Sequence, residues 1–317
     1  MKSSGIGGQA VMEGVMMKNA DKYAVAVRKA DQTIEVSTNE FNSIIKNKNI
    51  SKIPVLRGVF NFIDSMVLGM KSLTFSAGFF EEEEVKPSKA DKLIEKIFKD
   101  KAEKFVMSLT VCFSIVIAVA LFMLLPYYIS SLFKNMLLSD MAIAAIEGVL
   151  RLVIFIGYIL LISFMKDIQR VFMYHGAEHK CINCIEHGLE LNVENVRKSS
   201  KQHKRCGTSF LLIVIVISII FFLFIRVDSP ALRVLVRILL IPVIAGVSYE
   251  FIRLAGRSEN KIVEILSKPG LWLQNLTTRE PDDDMIEVAI ASVEAVFDWK
   301  AYIENDLKEK NAQLISE

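Results

Sequence analysis

The sequence predicts a mainly α-helical integral membrane protein: a four-helix transmembrane bundle with a small N-terminal β-containing cytoplasmic domain. Three observations predict it. The 317 residues are 52% hydrophobic with a mean hydropathy of +0.38, above the usual soluble range. The apolar residues fall in blocks, four of which reach the roughly 20 residues a helix needs to cross a bilayer core. Lys and Arg gather at one set of block ends, as the positive-inside rule demands of a cytoplasmic side.

The blocks are taken in order. Phe105 to Tyr128 contains no charged side chain and is the first span. Met141 to Met165 is the second, carrying Glu147 and Arg151 four residues apart, in the order that pairs well on one helical face. Ser209 to Ile225 is the third, and Val234 to Leu254 the fourth, with Arg237 near its start and Glu250 near its end. Arg237 and Glu250 are too far apart in sequence for a local pair, so each needs a partner on another helix. One side collects Lys96, Lys99, Lys101, Lys104, Lys166, Arg170, Lys180, Arg197, Lys198, Lys201, Lys204, Arg205, Arg253, Arg257 and Lys261; the other has Lys134, Arg226 and Arg233. The expected location is therefore a bacterial cytoplasmic membrane, multi-pass, with both termini and the 166–208 loop in the cytoplasm.

Residues 1–80 read as a separate unit. Tyr23–Arg28 and Thr33–Ser37 flank Lys29–Gln32 as a β-hairpin. Leu56–Phe80 is apolar but broken at seven-residue intervals by Arg57, Asp64 and Lys71, which predicts an amphipathic, membrane-surface helix rather than a fifth span. Residues 81–104 form a charged linker and 256–317 a C-terminal cytoplasmic segment, in which Pro281 and Asp282–Asp284 start a helix over 285–297. Met1–Met17 has no basic stretch followed by a long apolar run, so no cleavable signal is expected. A net charge of +2 gives no support to a nucleic-acid partner, and the four Cys give no disulfide framework.

Chemistry concentrates between spans two and three. All four His lie between 175 and 203, and three of the four Cys lie close by. His175-Gly-Ala-Glu178-His179 places two imidazoles four residues apart on one helical face with a carboxylate beside them. This H-x-x-E-H arrangement lets both His reach one metal while Glu178 serves as acid and base. Glu250 is the first choice for a third ligand, then His203 and Cys206. A set of His175, His179 and Cys206 keeps a fourth position for water. The rival reading joins Cys181-x-x-Cys184 to His203-x-x-Cys206 as a closed structural zinc knuckle, which leaves no open position. The Gly-rich stretch Gly5–Met17 lacks the strand, helix and spacing of a nucleotide loop.

Five motifs in order, Gly7–Met17, Tyr174–Lys180, His203–Phe210, Ala245–Glu250 and Gly270–Gln274 with Thr277–Pro281, resemble the DUF1385 family of bacterial membrane proteins, the YqhQ-like group, from about residue 5 to 295. The resemblance implies a metal-dependent enzyme with His175, Glu178, His179, His203, Cys206 and Glu250 at the site and Gln9 and Glu13 contributing. Lys204 stands where the family pattern has Pro. Position 181 is not a fixed Cys in that pattern, which favours Cys184 and Cys206 over the four-ligand knuckle.

The reading that follows is a membrane protein with a cytoplasm-facing site for a divalent metal, zinc by its donors. It acts as a metal-dependent hydrolase on a small-molecule, lipid or peptide substrate. The alternative is a transporter or membrane scaffold with a structural metal site or polar core. There Glu147, Arg151, Arg237 and Glu250 line a solute path, and a homodimer supplies the symmetry that the unrepeated sequence lacks.

Overall fold

The structure, a computed structural model, describes residues 3–45, 52–80, 102–133, 139–225, 227, 229–256 and 260–316. Most of the charged linker expected over 81–104 lies outside them, as do Lys96, Lys99, Lys101, Lys134, Arg226 and Arg257. The chain divides into two compact units. One comprises residues 1–80, 159–218 and 227–317, the other residues 81–158 and 219–226.

The first unit opens with an antiparallel meander of β1 (Gly7–Val11), β2 (Gly14–Asn19), β3 (Lys22–Arg28) and β4 (Ile34–Glu40). The hairpin expected from Tyr23–Arg28 and Thr33–Ser37 is β3–β4, with Val25 opposite Ser37. The Gly-rich segment, which showed no strand pattern, is a second hairpin, with Ala10 opposite Val15 and Val11 opposite Gly14. Its two-residue turn places Glu13 at φ 48°, the left-handed region that such tight turns require. Alternation puts Val15, Met17 and Ala26 on one face and Val11, Met16, Val25 and Val27 on the other, and both faces are buried.

The second face packs on Leu68 of helix α1 (Leu56–Ala77), with Phe75, Phe79 and Phe80 around it. The first face joins Tyr174, Ala177, Cys181, Ile182 and Ile185 of α5 (Lys166–Glu186) and Met285, Ile286, Val288, Ala289 and Val293 of α10 (Asp283–Glu294). So the first 80 residues form one small core of their own, between sheet and α1, and take part in a second. That second core is shared with the segment after span two and with the C-terminal helix, which starts, as expected, behind the Asp282 cap. The charges of α1 also divide differently from a single solvated stripe. Asp64 is buried and accepts from Ser43 Oγ at 2.6 Å and Ile44 N at 2.9 Å, while Lys71 is exposed. The exposed face of α1 is apolar instead, with Ile63, Met66, Val67 and Met70 on it.

Among the described residues, four helical stretches are long and apolar enough to cross a membrane: 105–131, 140–163, 207–224 and 232–255. The first comprises α2 (Ala102–Val119), a π-helical turn (Ala120–Leu124) and α3 (Leu125–Ser131). In the second unit, Pro126 has no N–H to offer Phe122 four residues earlier. That carbonyl accepts instead from Arg151 Nε at 3.1 Å, and Arg151 also holds Glu147 Oε1 at 2.9 Å. Both partners of that pair belong to α4 (Asp140–Ser163). The third span is α7 (Gly207–Phe224) and the fourth lies in α8 (Pro230–Ala255). Span two stops at Ser163, and extended backbone at Met165 starts α5 as a new helix. The 166–208 segment is thus mostly helical, α5 followed by the short α6 (Val193–Lys198), and His175 and His179 do not prolong a span.

The segment between α9 (Lys261–Thr277) and α10 runs flat across α5 at Gly176. A Cβ there would collide with the carbonyl oxygen of Arg279. Gly176→Ala is therefore expected to cost about 1–3 kcal/mol, the usual penalty of overpacking. It should lower the thermal midpoint of the detergent-purified protein. Gly157→Ala, with nothing within 4 Å of its added carbon, should leave that midpoint in place or raise it.

Candidate metal centre

Helix α5 mixes apolar residues with His, Glu, Lys and Asn, yet every residue from Gly176 to Ile185 is buried. Each polar side chain on it must then find a partner inside the protein. The loop after α6 supplies main-chain carbonyls for this purpose. Lys180 Nζ, 4% exposed, donates to Arg197 O and Ser199 O, both at 2.8 Å. Asn183 Nδ2 donates to Ser200 O at 2.7 Å and Gln202 O at 2.9 Å. His179 Nδ1 meets Lys201 O at 2.6 Å, and His175 Nδ1 meets Thr277 O at 2.9 Å.

Those last two contacts fix the tautomer. With the proton on Nδ1 facing a carbonyl, Nε2 of both rings is left as the free donor atom, the outer-shell arrangement that metal-binding His adopt. The rings lie 4.4 Å apart centre to centre. Between them comes Cys206, whose Sγ is 3.3 Å from His175 Nε2 and 2.8 Å from Thr208 Oγ1. Ligand atoms of His175, His179 and Cys206 all fall within 4.8 Å of one another. Donors on a tetrahedral zinc stand about 3.3–3.8 Å apart, so the set fits the ion with a small contraction. Glu178, 5% exposed, places Oε2 4.0 Å from His175 Nε2. Gly8 of β1 makes room for it: a Cβ there would lie 2.9 Å from Glu178 Cγ.

Burial alone would push the Cys206 thiol up and both imidazoles down. Facing one another reverses each tendency. The imidazoles hold Cys206 well below its ordinary value. The sulfur raises His179, and with Glu178 and the Thr277 carbonyl it raises His175 to about 9. The site therefore favours the thiolate, the form of Cys that binds metal.

Comparison with known proteins gives two results. The model of a family described as "Protein of unknown function (DUF1385)" matches residues 53–299. A relative from Bacillus subtilis (strain 168), "Uncharacterized protein YqhQ", is 37% identical over 305 residues, 95% of each chain. The chain belongs to the DUF1385 family. No solved structure matches. The family description carries no activity, so the metal-dependent enzyme that the resemblance implied has no support from membership.

The remaining candidates of this DUF1385 chain lie elsewhere. Glu250 does not join the cluster, because Arg57 of α1 takes both its oxygens, with Nε on Oε1 at 2.6 Å. His203 turns Nε2 toward Glu186, 3.6 Å away. Cys184 donates to Glu190 O at 3.4 Å and Cys181 is packed in the core, so the four knuckle residues do not converge among the described residues. The Gln9 amide lies against Gly69 of α1. Glu13 holds Arg170 through both oxygens and accepts from Tyr174 Oη at 3.3 Å. Glu147 and Arg151 pair with each other, and Arg237 is buried within α8. Sequence reasoning passed over Gln274, which is fully buried. Its Oε1 accepts from His203 N, and its Nε2 donates to His203 O and Ser209 Oγ, each at 2.8 Å. It thus clamps the stretch bearing Cys206. Only its place in the Gly270–Gln274 motif hinted at it.

Burial pushes the Glu186 carboxyl up, but His203, Arg205 and the Ser4 amide outweigh this and bring it down to about 2. A depressed carboxyl contributes stability above its unfolded value near 4.5 and loses it as pH falls toward 2. The thermal midpoint is expected to drop across that window. Glu186→Gln should melt lower at pH 7 and show a shallower dependence on acid.

Proposed function

We propose that the chain is a metal-dependent hydrolase embedded in the membrane, with its centre on the cytoplasmic side. The observation that carries the reading is the convergence of His175, His179 and Cys206 with both Nδ1 atoms committed to main-chain carbonyls. Three protein donors and an open fourth position are the pattern of catalytic zinc, whereas structural zinc is closed by four. A divalent ion bound there would act as a Lewis acid and lower the pKa of its water toward 7.

The residues divide the work as follows. His175, His179 and Cys206 hold the ion, and Thr277 O and Lys201 O orient the imidazoles. Glu178 is close enough to take the proton of attacking water and return it to the leaving group. Its buried position under Gly8 keeps its carboxylate in one place. The four apolar stretches cross the bilayer, and the excess of Lys and Arg puts both termini and α5 on the cytoplasmic side. The apolar outer face of α1 rests on the lipid. The span charges that would serve a transporter are engaged within the protein, Glu147 with Arg151 and Glu250 with Arg57, which favours the enzyme.

Elemental analysis of the purified protein should find about one zinc or other transition metal per chain, and His175→Ala/His179→Ala should remove it. Glu178→Gln should keep the metal and lower turnover of ester, amide or phosphoester probes by about 10²–10⁴-fold. No metal after reconstitution would overturn the reading. Metal whose loss only lowers the melting point, with Glu178→Gln silent, would make the site structural.

A further inference from the structure

The Thr277–Pro281 motif contributes a carbonyl to the metal centre, but its own charged residues have no part in that chemistry. They border a cavity of about 490 Å³ lined by Ser163, Lys201, Asn275, Thr278, Arg279 and Glu280, with Met173 and Leu276 behind. The main chain of this wall is the same that holds the imidazoles, through Thr277 O and Lys201 O. We propose that this cavity binds a phosphate group, and that the phosphate positions a substrate beside the metal centre. The second half rests on the hydrolase reading; the binding of phosphate does not.

Charge is the first argument. Arg279 donates to Ser163 O at 3.0 Å, and among the described residues no carboxylate pairs with it. Lys201 stands 3.7 Å from Glu280, while the other oxygen of Glu280 is held by Lys180 at 2.9 Å. Two lysines thus share one carboxylate and Arg279 has none, so the wall carries an excess of two positive charges. A planar guanidinium, an ammonium and the Asn275 amide are donors that suit the several acceptor oxygens of a phosphate.

Position is the second. Ser163 is the last residue of span two, and Phe164 and Met165 after it are 76% and 55% exposed. Helix α9, which carries Asn275 and Leu276, exposes Ile262, Ile265, Leu266 and Trp272. That is the apolar side of a helix lying in a membrane interface, with the Trp that such interfaces favour. A phosphate reaching this cavity can come from a lipid headgroup or from a soluble phosphate.

The test is calorimetric titration of the full-length protein in a non-ionic detergent with dioctanoylphosphatidylglycerol and, separately, with inorganic phosphate. At least one should bind, and Arg279→Gln and Lys201→Gln should each weaken binding by about tenfold, one charge-assisted contact being removed. Lys201→Gln covers the case in which loss of Arg279 perturbs folding, because the Lys201 carbonyl stays in place for His179. Tighter binding of the lipid assigns the phosphate to a headgroup, and equal or tighter binding of the free ion assigns it to a soluble compound. Binding should survive in His175→Ala/His179→Ala, so failure of the metal reading leaves this result intact. Neither probe binding overturns the proposal. So does binding that Arg279→Gln and Lys201→Gln leave unchanged, or phosphate binding that disappears with the two His alone.

Discussion

A helix rich in His, Glu, Lys and Asn can be buried on every side only if the chain around it provides a hydrogen-bond partner for each of those groups. From Gly176 to Ile185, α5 is such a helix, and much of its unit can be derived from that requirement. The loop after α6 winds past it with carbonyls turned inward to Lys180, Asn183 and His179. The segment after α9 does the same for His175. An unpaired buried donor would forfeit about 1–3 kcal/mol, so the loop paths follow from the residues of α5. Sheet and C-terminal helix then close over its apolar side.

The same requirement explains why the centre is preorganised. Main chain holds both imidazoles from behind, and Gln274 ties the 203–209 stretch that delivers the sulfur. A side chain bonded to main chain cannot swing without breaking a loop that other residues also anchor. The donor atoms are therefore held in place by the chain itself, which would lower the ordering cost of binding the proposed ion. Gly8 and Gly176 serve this end from opposite sides, each letting backbone press on α5 where a side chain would not fit.

Features set by local or bilayer physics were legible in the sequence. The four long apolar helices were, because runs of about 20 apolar residues stand out whatever the rest of the chain does. So was the β3–β4 hairpin, with its polar turn at Lys29–Gln32, and so was the Glu147–Arg151 pair, which needs only helical spacing. The β1–β2 hairpin was not, because its turn uses Met12 and Glu13, with Glu13 at positive φ, in place of Asn-Gly. Burial of α5 on all sides was hidden as well, since Glu178, His179, Lys180 and Asn183 are residues that usually face solvent. The pair His175 and His179 could be read from spacing alone. Which of Glu250, His203 and Cys206 approaches them depends on Arg57, Glu186 and Gln274, residues remote in sequence whose contacts no periodicity encodes.

Charge balance argues for the same three ligands. Glu250 and Glu186 are each held by an arginine, Arg57 and Arg205. Glu178 is more deeply buried than either, yet no Lys or Arg among the described residues pairs with it. Among the described residues its ion-pair neighbour is His175 alone, and beside both sits a thiol that its surroundings push toward the anion. Without an ion that thiolate is balanced by protonation of the imidazoles, which the site favours, and the proton sits on the very Nε2 atoms that face the sulfur. The proposed divalent cation would stand where those protons stand, balancing the thiolate while the imidazoles, neutral and protonated on Nδ1, turn Nε2 to it. A third carboxylate ligand in place of Cys206 would meet the same charge condition, but Arg57 has already taken the one the spacing offered.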